Sequence, residues 1–435
     1  MTTLLCLTAL LVQSGNQGSG GQTGAGASPE IPDWIRRVQV GGYVQLDSIF
    51  FGQDDTSVQQ LGDLEDAVNF RRARVILSGP VSDRIDYRFG LDFGGPGRPS
   101  FLDARIDIGL IGTSEADPVE PVLDTSERDA DADDFLLARI GRFKQPQSMS
   151  ELRGSGDMMF LERATPLSFV DFRQTGASLW GTLDQRHITY GISGYRFAGD
   201  VFGDVDGDVG YGASARATRL IEPLRILAGD DSEDVLVHLG GHLAIQSFQD
   251  GTDRYSATPG VGFQELDFGS SGDRPVPSFL DTGEFPADRT RQGGLELAVR
   301  LGSILVESEL IGTRTTRPDA DDAAFWGAYG QIGWVLTGER RAYNRPFGYF
   351  GGLTPATEVL DGGLGAIELA ARYDRIDLAD VGPDGGTLGA TTVGANWYWT
   401  ERLKFQANVI WADTDRGGLE DGNTTIAALR MQFAY

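Results

Sequence analysis

The chain has 435 residues, a formal net charge of -26, 60 glycines, 40% hydrophobic residues and one cysteine. That is too apolar for a disordered chain, and no run approaches the roughly 20 uninterrupted apolar residues of a membrane helix. The acidic balance speaks against a nucleic-acid partner, and Cys6 alone supports neither an internal disulfide nor a cysteine metal site.

Residues 1–30 read as an export-signal remnant followed by a Gly/Ser-rich linker. Leu4 to Val12 is a short apolar run, SGNQGSGGQTGAGAS is low-complexity, and no Lys or Arg precedes Arg36. From residue 31 on, the sequence reads as one all-β domain. Strand signals of period two recur, separated by Gly, Pro and Asp.

The first strand is expected at 38–51 and the second at 65–79. The second carries a parity conflict. Val68 and Phe70 place the apolar face on even numbers, whereas Ala73, Val75 and Leu77 place it on odd ones. One extra residue resolves it: a β-bulge at Arg71 and Arg72 turns both guanidinium groups to the polar face, with Arg74 following. In the third strand Ile85, Tyr87, Phe89, Leu91 and Phe93 oppose Arg84, Asp86, Arg88 and Asp92. An apolar face opposite a charged one on strand after strand is what a membrane barrel requires, with lipid outside and water inside. The fourth strand repeats this, with Leu102, Ala104, Ile106, Ile108 and Leu110 outside against Asp103, Arg105 and Asp107 inside, and the same parity places Leu239 and Leu429 outside, and His242 and Arg430 inside.

After the strand at 134–143 (DFLLARIGRF), residues 144–170 have no strand period. They mix Pro146, Met158, Met159 and Phe160 with the charges Lys144, Glu151, Arg153, Glu162 and Arg163. An aperiodic segment of this length is expected to be functional, here a loop folded inward to narrow the lumen. Further strands are expected at 172–183, 186–198, 208–221, 234–247, 292–302, 303–314, 323–337, 364–377, 389–401, 403–414 and 424–435. The total is about sixteen, with short and long connections alternating between the rims, and aromatics such as Trp397, Trp399, Trp411 and Tyr435 in interfacial girdles. A transmembrane antiparallel β-barrel must also pair its last strand with its first, so that no backbone edge meets lipid.

No catalytic motif, cofactor fingerprint or metal-ligand set stands out. GDVDGDVG at 203–210 lacks the Gly and Glu of a calcium loop, and His238 and His242 lie roughly 13 Å apart on one extended strand, too far to share a metal. Two readings compete: a porin for passive diffusion of small hydrophilic solutes, and a structural or adhesive outer-membrane barrel whose acidic loops bridge divalent cations.

Several segments resemble the phosphate-selective porins O and P. They are NFRRARVILSG at 69–79, IGRFKQP at 140–146, FLERATPLSF at 160–169, WVLTGERRAYNRPFGYFGGLTP at 334–355, GAIELAARYDRIDL at 365–378 and VGANWYWTERLKFQANVIWADTD at 393–415. The resemblance implies a bacterial outer-membrane homotrimer of sixteen-stranded barrels, each with an inward third loop and an arginine-lined constriction selecting small anions such as phosphate. Arg71 and Arg72 correspond to its paired arginines, and Asp92 to its acidic partner. The candidate constriction set is therefore Arg71, Arg72, Arg74, Arg88, Asp92, Arg139 and Lys144. Alternatively, the arginine pair only binds wall carboxylates or holds the inward loop in place. The chain departs from the phosphate specialists in having only two lysines, Lys144 and Lys404, and in its acidic stretches at 124–134 and 318–322. Such stretches repel phosphate at any mouth they line. Small outward residues, Val209, Ala213, Ala215, Ala217 and Ala427, are the expected packing surface between copies.

Overall fold

The computed structural model describes residues 37–94, 99–112, 133–197, 210–223, 235–249, 251–261, 276–382, 385–416 and 421–435. Residues 1–30, Val209, most of the 203–210 stretch and most of the 124–134 stretch lie outside the described residues. Sixteen antiparallel strands close into a barrel. They are β1 (Gln39–Gln53), β2 (Ala67–Ser82), β3 (Ile85–Asp92), β4 (Ser100–Ile111), β5 (Leu136–Lys144), β6 (Arg173–Leu183), β7 (Ile188–Arg196) and β8 (Gly210–Ile221). The second half comprises β9 (Val235–Phe248), β10 (Arg289–Leu301), β11 (Ile304–Thr316), β12 (Ala323–Val335), β13 (Ala366–Asp377), β14 (Thr387–Tyr398), β15 (Leu403–Asp415) and β16 (Gly422–Ala434). Each coincides with an expected strand to within a few residues.

Closure is made by β1 against β16, in register from Tyr43 opposite Ala434 to Gln53 opposite Thr424. Tyr435 extends the ladder by exchanging backbone hydrogen bonds with Gly42, whose Cβ position would lie 2.0 Å from the Arg74 carbonyl oxygen. Only glycine fits there. Period two then sorts the side chains. Ile106, Leu239 and Leu429 are 48%, 44% and 51% exposed on the outer wall, while Arg105, His242 and Arg430 are buried inside.

The bulge in β2 is where the parity conflict places it. Gln45 pairs with Arg72 but Leu46 pairs with Phe70, which leaves Arg71 as the extra residue. At the other extreme of regularity, β10 and β11 are joined by Gly302 and Ser303 alone, with Gly302 in the left-handed region at φ 56°.

The strict alternation of short and long connections does not hold. The turns after β2, β6, β10 and β14 are tight, but on the same rim residues 112–135, 222–234 and 336–365 are long. For 336–365 the reason is that it does not merely connect β12 to β13: it enters the lumen. Its ribbon, Tyr343–Asn344 paired with Tyr349–Phe350, is buried with Trp180, Leu220, Leu236, Ala298 and Leu305 from five strands. From the opposite rim the third loop (145–172) and the long loop 249–288 pack Leu161, Leu167, Phe169, Tyr255, Phe279 and Phe285 against Ile311, Phe325, Ile376, Ile410 and Ile426. The inner wall is thus apolar near both rims, where inserted segments need a dry surface, and charged between them.

The aromatic girdle is partly as expected. Trp397, Trp399 and Phe405 cluster with ring centroids 5.9–6.2 Å apart at the rim of the β14–β15 turn, and Trp411 is exposed toward the other.

Candidate functional site

The bulge sets the site. Arg71 and Arg72, consecutive in sequence, both reach the carboxylate of Glu162 on the third loop: Arg71 through Nε to Oε1 at 3.0 Å, Arg72 through Nη2 to Oε2 at 2.7 Å. A third guanidinium, Arg430 of β16, reaches Glu162 Oε1 at 2.9 Å while binding Asp47 of β1 through two bonds of 2.7 and 2.6 Å. Glu162 lies on the loop, outside the strands. Burial works to raise its pKa, but Arg71, Arg72 and Arg430 outweigh it and hold the group well below the usual carboxylate range. It is therefore ionised at any working pH.

Next along β2, Arg74 donates to Asp92 at 2.7 Å, to the Tyr43 hydroxyl at 2.5 Å and to Ser155 Oγ at 2.6 Å. Asp92 also accepts from the backbone of Ala73 and Gly94, so it is the partner of Arg74 and fixes the end of β3. Asp103 gathers Arg173 at 3.3 Å, Arg105 at 3.5 Å and Arg88 at 3.6 Å. These cations converge because β2, β3 and β4 bring their polar faces to one side of the lumen, the first residue of β6 adds Arg173, and the third loop approaches them.

Between them lies a cavity of about 590 Å³. Of the candidate residues, Arg71, Arg72, Arg74, Arg88, Asp92 and Lys144 line it; Arg139 does not. Arg139 is spent on the wall: it makes a two-pronged bond to Asp107 at 2.7 and 3.0 Å and lies over the rings of Phe143 and Phe347. Lys144 borders the cavity, but its ammonium donates to the carbonyls of Glu151, Leu152 and Arg153 at 2.7–2.9 Å and pins the start of the loop.

Sequence reasoning missed Arg142, Arg163 and Arg173, which also line the cavity, and did not single out Glu162 as the partner of the arginine pair. Arg163 and Glu162 were visible only as two charges among five on the loop. Arg430 carried a better signal, since its parity already places it inside.

In the opposite half of the lumen, buried acids and arginines hold the inserted segments. Arg153 of the third loop binds Glu307 of β11, and Glu309 accepts from Tyr329 at 2.6 Å and from the backbone of Ser150 at 3.0 Å. Arg216 of β8 binds Glu296 of β10 at 2.8 and 2.7 Å and donates to the carbonyls of Phe347 and Gly348. His238 bridges Glu296 and Tyr343, at 3.2 and 2.8 Å.

The family model for phosphate-selective porin O and P matches residues 38–435. Porin O of Pseudomonas aeruginosa is 24% identical over 428 residues, covering 91% of this chain and 88% of that protein. An uncharacterized protein of Caulobacter vibrioides is 26% identical over 316 residues, which is 69% of this chain and 59% of that protein's length. Solved outer-membrane protein structures share the fold, two of which illustrate it. OmpT of Vibrio cholerae, in its trimer form, superposes with a TM-score of 0.51 at 9% identity over 92% of this chain and 99% of that one. Salmonella typhi OmpF in complex with daunomycin does so with a TM-score of 0.51 at 10% identity, over 92% and 97%. With a family match spanning every strand and a closed sixteen-stranded barrel, the chain belongs to the phosphate-selective porin O and P family of the bacterial outer membrane.

Proposed function

We propose that this outer-membrane channel passes small anions by diffusion, phosphate among them, and that the arginines around the β2 bulge set the preference. The observation that carries the reading is the sign of the cavity. It is lined by Arg71, Arg72, Arg74, Arg88, Arg142, Lys144, Arg163 and Arg173 against Asp92, Asp103, Asp157 and Glu162, an excess of four positive charges in a chain whose net charge is -26. Charges on outer loops more than about 8 Å away are largely screened at physiological salt, so the local sign governs the passing ion. Guanidinium groups stay charged at any working pH and present paired donors to phosphate or carboxylate oxygens, replacing part of the ion's hydration.

The outer wall serves the lipid, and three barrels assemble side by side. Ala213, Ala215, Ala217 and Ala427 point outward on β8 and β16, where small side chains let walls approach.

One observation favours a different reading, a plugged structural barrel: segments from both rims fill much of the lumen. Planar-bilayer recording separates the two. The purified protein gives discrete current steps, and replacing chloride by a large, slow anion at constant potassium lowers the step more than replacing potassium by a large cation at constant chloride. No steps in repeated preparations would support the plug, and the opposite ion ranking would remove the anion reading.

A further inference from the structure

Three guanidinium groups converge on one carboxylate at the bulge, and the chain itself supplies that carboxylate. Glu162 Oε1 accepts from Arg71 Nε at 3.0 Å, Arg72 Nη1 at 3.0 Å and Arg430 Nη2 at 2.9 Å; Oε2 accepts from Arg71 Nη2 at 3.3 Å and Arg72 Nη2 at 2.7 Å. Five donors around two oxygens is a receptor for a free oxyanion or carboxylate. With Asp47 counted, the cluster still holds three positive charges against two negative ones.

The loop does not depend on this carboxylate for its position, because other bonds hold the backbone on both sides of it. Asn396 donates to the Met159 carbonyl at 2.7 Å, Arg430 to the Leu161 carbonyl at 2.5 Å, and Arg372 to the Glu162 carbonyl at 2.9 Å. Thr165 is held by Asp374 through its backbone at 3.1 Å and its hydroxyl at 2.7 Å. The side chains of Phe160 and Leu161, immediately before Glu162, are buried. The Glu162 side chain can therefore leave the arginines by rotating about its own bonds. Glu162, Arg71 and Arg72 all border the 590 Å³ cavity, so an incoming anion meets the site directly.

We infer that Glu162 is a tethered competitor: it occupies the anion site formed by Arg71, Arg72 and Arg430, is displaced by a passing phosphate or carboxylate solute, and rebinds as that solute leaves. The inference rests on the anion-passage reading above. Its value to a channel is release, since three guanidinium groups opposed by Asp47 alone would hold an oxyanion too long for rapid flux, and a site must bind weakly enough to be vacated. Glu162 is the specificity-setting residue that keeps this site weak.

The test is block of chloride current by inorganic phosphate, with the full chain in planar bilayers at fixed pH. In Glu162→Gln and Glu162→Ala the half-blocking phosphate concentration falls by about tenfold or more, because a short tether presents its group at an effective concentration in the millimolar range or above. Glu162→Asp, which keeps the charge on a shorter tether, falls between these and the wild type, and carries the test if the neutral variants do not insert. A half-blocking concentration that is unchanged or raised in the variants would show that Glu162 only anchors the loop, and would overturn the inference. The reversal potential of the wild type, read without phosphate, reports separately on anion passage, so failure of the underlying reading is recognised independently.

Discussion

Replacing Arg71 and Arg72 together by alanine weakens the anion preference of the channel and leaves single-channel conductance unchanged or raised. At the bulge, Arg430 is then the remaining cation facing both Asp47 and Glu162, so the local balance passes from three positive against two negative to one against two. Selectivity at a narrow site follows the fixed charges within a Debye length of the ion's path, and the cavity lining as a whole falls from an excess of four positive charges to an excess of two. Conductance does not fall, because two long side chains leave the lumen and the loop keeps its bonds through Thr165, Leu161 and Lys144. The readout is the reversal potential under a salt gradient, which moves toward zero. An unchanged reversal potential would mean that the pair serves the loop alone.

The largest loss of stability is expected from Glu296→Ala. Arg216 and Glu296 are both buried, and the guanidinium spends its donors on the two carboxylate oxygens and on the Phe347 and Gly348 carbonyls of the inserted ribbon. Removing the acid leaves a buried guanidinium without its counter-charge, a change that costs about 3–5 kcal/mol. His238 loses one of its two partners at the same time, which loosens its hold on Tyr343 and hence on the ribbon. Glu296→Gln keeps an acceptor for one Arg216 donor and costs less. Urea titration of the folded band on semi-native gels measures both. A Glu296→Ala barrel as resistant as the wild type would show that the ribbon is not held through this pair.

How much of this was legible in the sequence follows from what each feature depends on. Strand positions depend on period two, which is local, and the bulge announces itself as a parity conflict between Phe70 and Ala73. The inward course of 336–365 has no such local mark. Its aromatics at 343–350 are buried by Leu220, Leu236, Ala298 and Leu305, which lie 38 or more residues away in sequence, and rim connections elsewhere are equally rich in Gly and Pro. Parity identifies which charges face the lumen but not which are already engaged. Arg139 and Lys144 satisfy the pattern of pore cations, yet one is held by Asp107 and the other by three carbonyls. Glu162 is the converse case, an acid among five loop charges whose partners come from β2 and β16, at opposite ends of the sequence and adjacent only because the barrel closes.

That a strongly acidic chain forms an anion channel through a local cluster of arginines is tested most directly by the reversal potential of the wild-type protein in a planar bilayer separating dilute from concentrated potassium chloride. The expected sign is that of chloride crossing more readily than potassium; a potential of the opposite sign, set by the net charge of -26 rather than by the cavity, would contradict it.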